Sequence, residues 1–372
     1  MSCQFSHRSP RNARGMSMVE LMVALTIGGF LMWGAITVYS RSRTTYQVSE
    51  QISRLQENAR YAMSVIEPDL RLANYWGLMN DPTLVTGAAT PVQTVSPLSG
   101  TTTSCGTNFA LNLSELVRGD NNAFTLGPAR TAACNPFNNA DVAVAGNNQP
   151  GADTLTIRRV STQPSPATNT RLQLYVTRWG GSSQVFNSGV APGALGPNAE
   201  IHDVIVDTYY ISQDSVGQPV GIRIPALRGK TLVNGPGWQD QEVISGVEDL
   251  QVQFGVDLGR DGNNDGIPDD IDGNGIPDSY TGVASQWVNP NAVPATGLVV
   301  AARFWLLVRS TTAEQGFIDG NTYQYGDRLT ANGVTALLNG AGVGKAYQPN
   351  DNFRRLLVTR TVQLRNTMSI GP

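Results

Sequence analysis

Histidine and cysteine are scarce here, at two and three residues in a chain of 372. His7 lies in a basic N-terminal stretch, and His202 stands alone in Glu200-Ile-His-Asp203, so no triad can be assembled around a histidine base. The Gly180-Gly-Ser-Ser183 stretch lacks the nucleophile-elbow pattern, and no P-loop or dinucleotide fingerprint occurs. The residues point to a protein that is not an enzyme. Charge is also sparse. Only 15% of residues are charged, the formal net charge is −3, and no basic run interleaved with aromatics exists, which argues against nucleic acid as a partner. Glycine and proline are abundant instead, at 39 and 21, a mixture that suits a loop-rich, strand-rich extracytoplasmic domain better than a helical cytosolic enzyme.

One long apolar run is present. Leu21 to Tyr39 contains no charge, Glu20 stands at its head, and Arg8, Arg11 and Arg14 precede it. The arginines keep the N-terminus cytoplasmic and place everything after about Tyr39 across the membrane. A carboxylate at the head of such a helix costs about 2.5 to 3.5 kcal/mol, if treated like Asp on insertion scales, so it needs a partner outside its own helix.

The stretch Gly15-Met-Ser-Met-Val-Glu-Leu-Met-Val-Ala-Leu25 resembles the class III signal of type IV pilins and pseudopilins. The resemblance implies that a prepilin peptidase cuts after Gly15 and methylates the new amine of Met16, where the family usually has Phe. Glu20 then becomes the fifth mature residue and pairs with the terminal ammonium of a neighbouring subunit, which offsets desolvation and sets axial register. Two plainer readings compete. A secretory signal would need a small-residue cleavage site after the apolar run, and none is present. A simple signal anchor would leave Glu20 unpaired.

Beyond the membrane run, Val48, Ile52, Leu55, Ala59, Ala62, Ile66, Leu70 and Ala73 step by fours and threes, which predicts a continuing amphipathic helix packed on the chain's own sheet. An unbroken helix from 16 to 73 would span about 87 Å at 1.5 Å per residue. Gly28-Gly29 and Pro68 are places for a bend or restart. Residues 77 to 151 read as a long elaborated loop region. Strands are expected at Asp153–Val160, Arg171–Trp179, Val204–Ile211, Val220–Ile224, Val247–Val256, Leu298–Arg309 and Arg354–Arg365, mostly with hairpin-scale connections.

Three segments sharpen the resemblance: Asp69-Leu-Arg-Leu-Ala-Asn-Tyr-Trp-Gly77, Gly246-Val-Glu-Asp-Leu-Gln-Val-Gln-Phe-Gly-Val256 and Arg360-Thr-Val-Gln-Leu-Arg-Asn366. They are similar to segments of PilW-type minor pilins, and the type II secretion pseudopilin J is similar in plan. The fold implied is α+β and pilin-like: a long N-terminal helix packed on an antiparallel sheet domain with long loops. The divisions are a leader at 1–15, a membrane part of the helix at 16–39, an amphipathic part at 40–76 and a β-rich globular domain at 77–372.

The segment 257–278 carries ligand chemistry. Asp261, Asn263, Asp265, Asp269 and Asp272 occupy positions one, three, five, nine and twelve of a calcium-type loop, with Gly266 at six and the carbonyl of Ile267 at seven. Short oxygen-bearing side chains at alternate positions converge on a hard cation, and the glycine permits the tight turn. With Asp at twelve in place of Glu, the loop resembles dockerin and thrombospondin repeats more than helix-flanked EF-hands. An overlapping second pattern, Asp270, Asp272, Asn274, Ile276 and Asp278, ends on Thr281 and is incomplete. Asp257, just ahead, could add an oxygen. The plain alternative is a solvated turn without metal.

Removal of the leader takes Cys3 and leaves Cys105 and Cys134 as a pair in an oxidising compartment, where a disulfide is expected to contribute about 3 to 4 kcal/mol. Two buried thiols are the alternative.

The resemblance implies a minor pilin acting in the initiating or tip complex of a type IV pilus. Its partners would be other minor pilins, the major pilin, the prepilin peptidase, the inner-membrane assembly platform and a tip adhesin. It would sit as a single-pass protein of the bacterial inner membrane with a periplasmic globular domain, then enter the pilus. A secretion pseudopilin and a signal-anchored calcium-binding adhesin outside any filament are the alternatives.

Overall fold

The computed structural model describes residues 15–79, 81–86, 109–113, 115, 117–124, 126, 134–137, 149–178, 182–218, 223–234, 237–259, 283–294, 297–328 and 347–367. The chain divides into two compact units between Ser53 and Arg54. One helix, α1 (Met18–Arg71, 54 residues), contributes to both.

In the first unit the helix starts at a defined cap. Ser17 Oγ accepts the backbone N–H of Glu20 at 3.1 Å, and Ser17 O accepts that of Leu21 at 3.1 Å, so two of the helix's orphan donors are satisfied at once. The helix passes through Gly28, Gly29 and Pro68 without a restart and ends at Arg71, short of the expected residue 76. Pro68 lies in the last turn, where its missing donor costs one bond, and the final amides tighten: Leu72 N reaches both Pro68 O and Asp69 O, and Ala73 N reaches Leu70 O. Asn74 then takes a left-handed conformation (φ 62) and turns the chain onto the sheet.

Among the described residues the second unit has eleven strands: β1 (Val117–Asp120), β2 (Thr154–Val160), β3 (Gln173–Thr177), β4 (Gln184–Phe186), β5 (Ala199–Ser212), β6 (Ala226–Val233), β7 (Gly237–Ser245), β8 (Val247–Asp257), β9 (Gln286–Val288), β10 (Leu298–Arg309) and β11 (Arg355–Gln363). They form two sheets in which all strand pairs are antiparallel. In the seven-stranded sheet the long β5 is the hub. Residues 199–203 pair with β3, 204–209 with β2 and 207–212 with β6, which carries β7 outward. The four-stranded sheet runs β11-β10-β8-β9. Gly246 is the single residue between β7 and β8, where the chain leaves one sheet for the other. Its φ is 87, and a Cβ there would lie 2.8 Å from Arg309 O, so only glycine fits the crossing.

Both sheets share one core with the C-terminal part of α1. Leu55, Ala59, Ala62, Met63, Ile66 and Leu70 are buried with Leu155, Ile157 and Ile211 of the first sheet and with Leu250, Val252, Phe254, Phe304, Leu306 and Val362 of the second. The amphipathic stripe from Leu55 to Ala73 is therefore internal to this unit.

The loop region expected at 77–151 holds, among the described residues, one short strand and a set of buried apolar side chains. Phe109, Leu111, Leu113, Phe124 and Leu126 are buried in a second core cluster, and β1 pairs with β2. The fully buried Arg158 anchors them. Its guanidinium donates to Phe109 O at 3.1 and 2.8 Å and to Glu115 O at 2.7 Å, with Phe109's ring 4.9 Å away. Burial lowers its pKa to about 10, so it remains a cation at neutral pH. The expected strand Val220–Ile224 lies mostly outside the described residues, and Arg223 and Ile224 are not in a strand.

Candidate assembly segment

Gly15 precedes the helix, with open space where a side chain would be. Met16 is 63% exposed. Glu20 sits in the first helical turn, solvent-facing, and among the described residues no group bonds its carboxylate. The cap is supplied by Ser17, and Ser17-Met18-Val19-Glu20 has the S-x-x-E spacing of a capping box, a signal that the leader reading passed over. From Val19 to Tyr39 the apolar side chains are exposed. The best 18-residue window has a mean hydropathy of 2.0, and none of it is buried inside the protein. The segment is long and apolar enough to cross a membrane. An apolar helix with no cover within its own chain is suited to lipid or to a neighbour's identical helix, and a lone carboxylate at its head is suited to a cation on that neighbour.

Asp261, Asn263, Asp265, Ile267, Asp269, Asp270, Asp272, Asn274, Ile276 and Asp278 lie outside the described residues, as does Thr281. The flanks of that loop are described. β8 and β9 pair as Phe254↔Val288, Gly255↔Trp287 and Val256↔Gln286, so the segment between them is the connection of a hairpin. At its base, Ser285 N donates to Val256 O at 2.8 Å, and Gly259 N donates to Asp257 Oδ1 at 2.9 Å. Asp257 is fully buried at this neck. Cys134 is buried and disulfide-bonded, and Cys105 lies outside the described residues.

His202 is held structurally. Its Nδ1 is 2.7 Å from Ser161 O, its Nε2 is 3.1 Å from Glu200 Oε2, and the ring is 1% exposed. Two of the segments quoted from the sequence, 69–77 and 360–366, meet at the end of α1, where β2 and β5 also supply partners. Asp69 accepts Arg159 Nη2 at 2.8 Å and the hydroxyl of Tyr209, while Asn74 bonds the backbone of Asn366. Sequence spacing could not show these pairings, because the partners lie 90, 140 and 292 residues apart.

A family model described as Type IV Pilus-assembly protein W matches residues 208–366, from within β5 to Asn366. A second, the prokaryotic N-terminal methylation motif, matches residues 10–36 and so spans Gly15, Met16 and Glu20. No curated protein matches. Among solved structures, a type IV-like pilin from Thermus thermophilus is similar at 15% identity and a TM-score of 0.24, covering 61% of this chain and 87% of its own. The methylation motif thus lies over the exposed apolar helix, and the two-sheet unit from β5 to Asn366 is similar to the type IV pilus-assembly protein W family.

Proposed function

We propose that this membrane-anchored minor pilin works in the initiating or tip complex of a type IV pilus and has no catalytic activity. The observation that carries the reading is Glu20, without a carboxylate partner among the described residues, at the head of an apolar helix whose side chains are exposed, within the methylation motif. Cleavage after Gly15 leaves Met16 as the new terminus, four residues before Glu20. The Glu20 carboxylate then takes the ammonium of an adjacent subunit, and the run Leu21–Tyr39 anchors the chain in the inner membrane before passing into the filament core. Other minor pilins, the major pilin, the assembly platform and a tip adhesin are its partners, with the globular unit in the periplasm until assembly.

Two features complete the proposal. The hairpin between β8 and β9 carries calcium on Asp261, Asn263, Asp265, Asp269 and Asp272 and the carbonyl of Ile267, with Asp270, Asn274, Ile276 and Asp278 as a partial second set. Its support is the ligand spacing and the closed neck at Asp257. Cys105 pairs with Cys134, which closes the loop that Arg158 grips from the other side.

The N-terminal mass of protein isolated from membranes with and without the prepilin peptidase tests the central reading. A peptidase-dependent terminus at methylated Met16 supports it. An intact leader, or a cut beyond Tyr39, removes it and leaves an anchored or secreted protein outside any filament.

A further inference from the structure

Residues from three distant segments meet where β1 ends and β2 begins. Asn121 and Asn122 follow β1, Asp153 precedes β2, and Asp327 stands two residues after the buried Tyr325. Both asparagine amides point at one carboxylate oxygen, with Asn121 Nδ2 at 3.2 Å and Asn122 Nδ2 at 2.5 Å from Asp327 Oδ2. Asp327 is 8% exposed, and its second oxygen, Oδ1, is buried without a hydrogen-bond partner. Asn121 Oδ1 and Asn122 Oδ1 are buried without partners as well. Three orphaned acceptors on adjoining side chains are costly, because each loses water and gains nothing.

The local charge balance points the same way. Asp153 is 1% exposed and accepts Asn122 N at 2.7 Å and Val252 N at 2.8 Å. Asp327 and Asp249 both lie close enough to Asp153 to repel its charge. Arg328 faces Asp249 and Asp327, and it is committed to Asp249 at 3.3 Å and to Gly151 O.

Among the described residues no three acidic, histidine or cysteine side chains converge as a ready metal cage. The set is instead one carboxylate flanked by two amides. An asparagine amide has donors at one end and an acceptor at the other. As placed, both donor ends face Asp327. Turned end for end, both amides would direct carbonyl oxygens toward the same carboxylate, an all-acceptor cup that a cation satisfies and hydrogen bonds do not. Oxygen-only donors of this kind match a hard divalent ion of the calcium type, at the weak end of the range because a single carboxylate is present.

We propose that Asn121, Asn122 and Asp327 form a calcium site distinct from the β8–β9 hairpin, joining the end of β1 to the turn that carries Tyr325 and Arg328. Metal entry is coupled to rotation of the two amides, so the same three residues hold a hydrogen-bonded arrangement without calcium and a coordinated one with it.

The test uses the full-length chain in detergent with both hairpin sets silenced by Asp261→Ala, Asp265→Ala, Asp270→Ala and Asp272→Ala, and measures binding of calcium alone by equilibrium dialysis, with the melting temperature in parallel. One equivalent is expected, with Kd of about 10⁻⁴ to 10⁻³ M. Asp327→Asn in that background should weaken binding at least tenfold. Asn122→Gly should do likewise, and it tolerates the positive φ of 54 at that position, so it removes the side-chain oxygen without backbone strain. Absence of binding by the hairpin-silenced chain overturns the proposal, as does binding that neither variant weakens. Comparison of the wild-type and hairpin-silenced chains reports on the hairpin separately.

Discussion

Asn74 and Asn366 clasp each other's chain segments. Asn74 Nδ2 donates to Asn366 O at 3.0 Å, and Asn366 Nδ2 donates to Ala73 O at 3.0 Å, so the end of α1 and the end of β11's segment are tied by reciprocal bonds. Asn74 is 1% exposed, and its Oδ1 also accepts the indole N–H of the fully buried Trp76.

Asn366→Ala removes the partner of Ala73 O and should destabilise the protein by about 1 to 3 kcal/mol, the cost of an unsatisfied buried group. Asn74→Ala should cost more, since alanine must also adopt φ 62 and Trp76 loses its acceptor. Thermal unfolding of the full chain in detergent measures both. Melting temperatures equal to wild type would show that the clasp contributes nothing.

Asp207 gives a pH dependence with a definite sign. Burial in β5, followed by the proximity of Asp69, raises its pKa from 3.8 to about 6. Between about pH 4 and 6 the folded chain therefore holds a proton that the unfolded chain has released, and stability falls as pH rises through that window. A displacement of roughly two units corresponds to about 3 kcal/mol. Asp207→Asn should raise the melting temperature at pH 7.5 and leave it nearly unchanged at pH 4. The same gain at both values would refute the linkage.

Glu20→Ala should leave the helix start intact, because Ser17 supplies the cap, while removing the charge that a neighbour's ammonium would meet. The variant should fractionate with membranes and assemble few pili. Glu20→Gln keeps the shape and should fail in the same way. Normal piliation in either variant would argue against the pairing.

On the proposal that the β8–β9 connection holds calcium, removal of the cation should lower the melting temperature of the wild-type chain. Asp261→Ala with Asp265→Ala should reduce that chelator-sensitive shift. A shift of the same size in wild type and the double variant would remove calcium from the hairpin.

Legibility varied with how each element is stabilised. Leu298–Arg309 is apolar through most of its length and matches β10 residue for residue. β7 has no such signal. Its Asp240 and Glu242 answer Arg228 and Lys230 across the ladder, so ion pairs hold a strand that hydrophobic alternation could not reveal. β5 extends five residues before the expected Val204, because Glu200, His202 and Asp203 interrupt the apolar pattern, while Glu200 pairs with His202, His202 with Ser161, and Asp203 with Ser165 and Gln173. The helix and its acid were legible because a membrane run is compositionally unlike anything else in the chain. The Asn121, Asn122 and Asp327 group was not, since about two hundred residues separate its halves.

The shared core also has a consequence for the order of events in synthesis. Leu55 to Leu70 appear early in translation, yet Phe304, Val362 and Leu364, with which they are buried, arrive about two hundred and forty to three hundred residues later. A nascent chain can cover part of its helical stripe with Leu155, Ile157 and Ile211 of the first sheet, while the contacts of Phe304 and Val362 wait for β10 and β11. Closure of this core is thus a late event, and a chain that stops before β11 leaves part of its spine seam open.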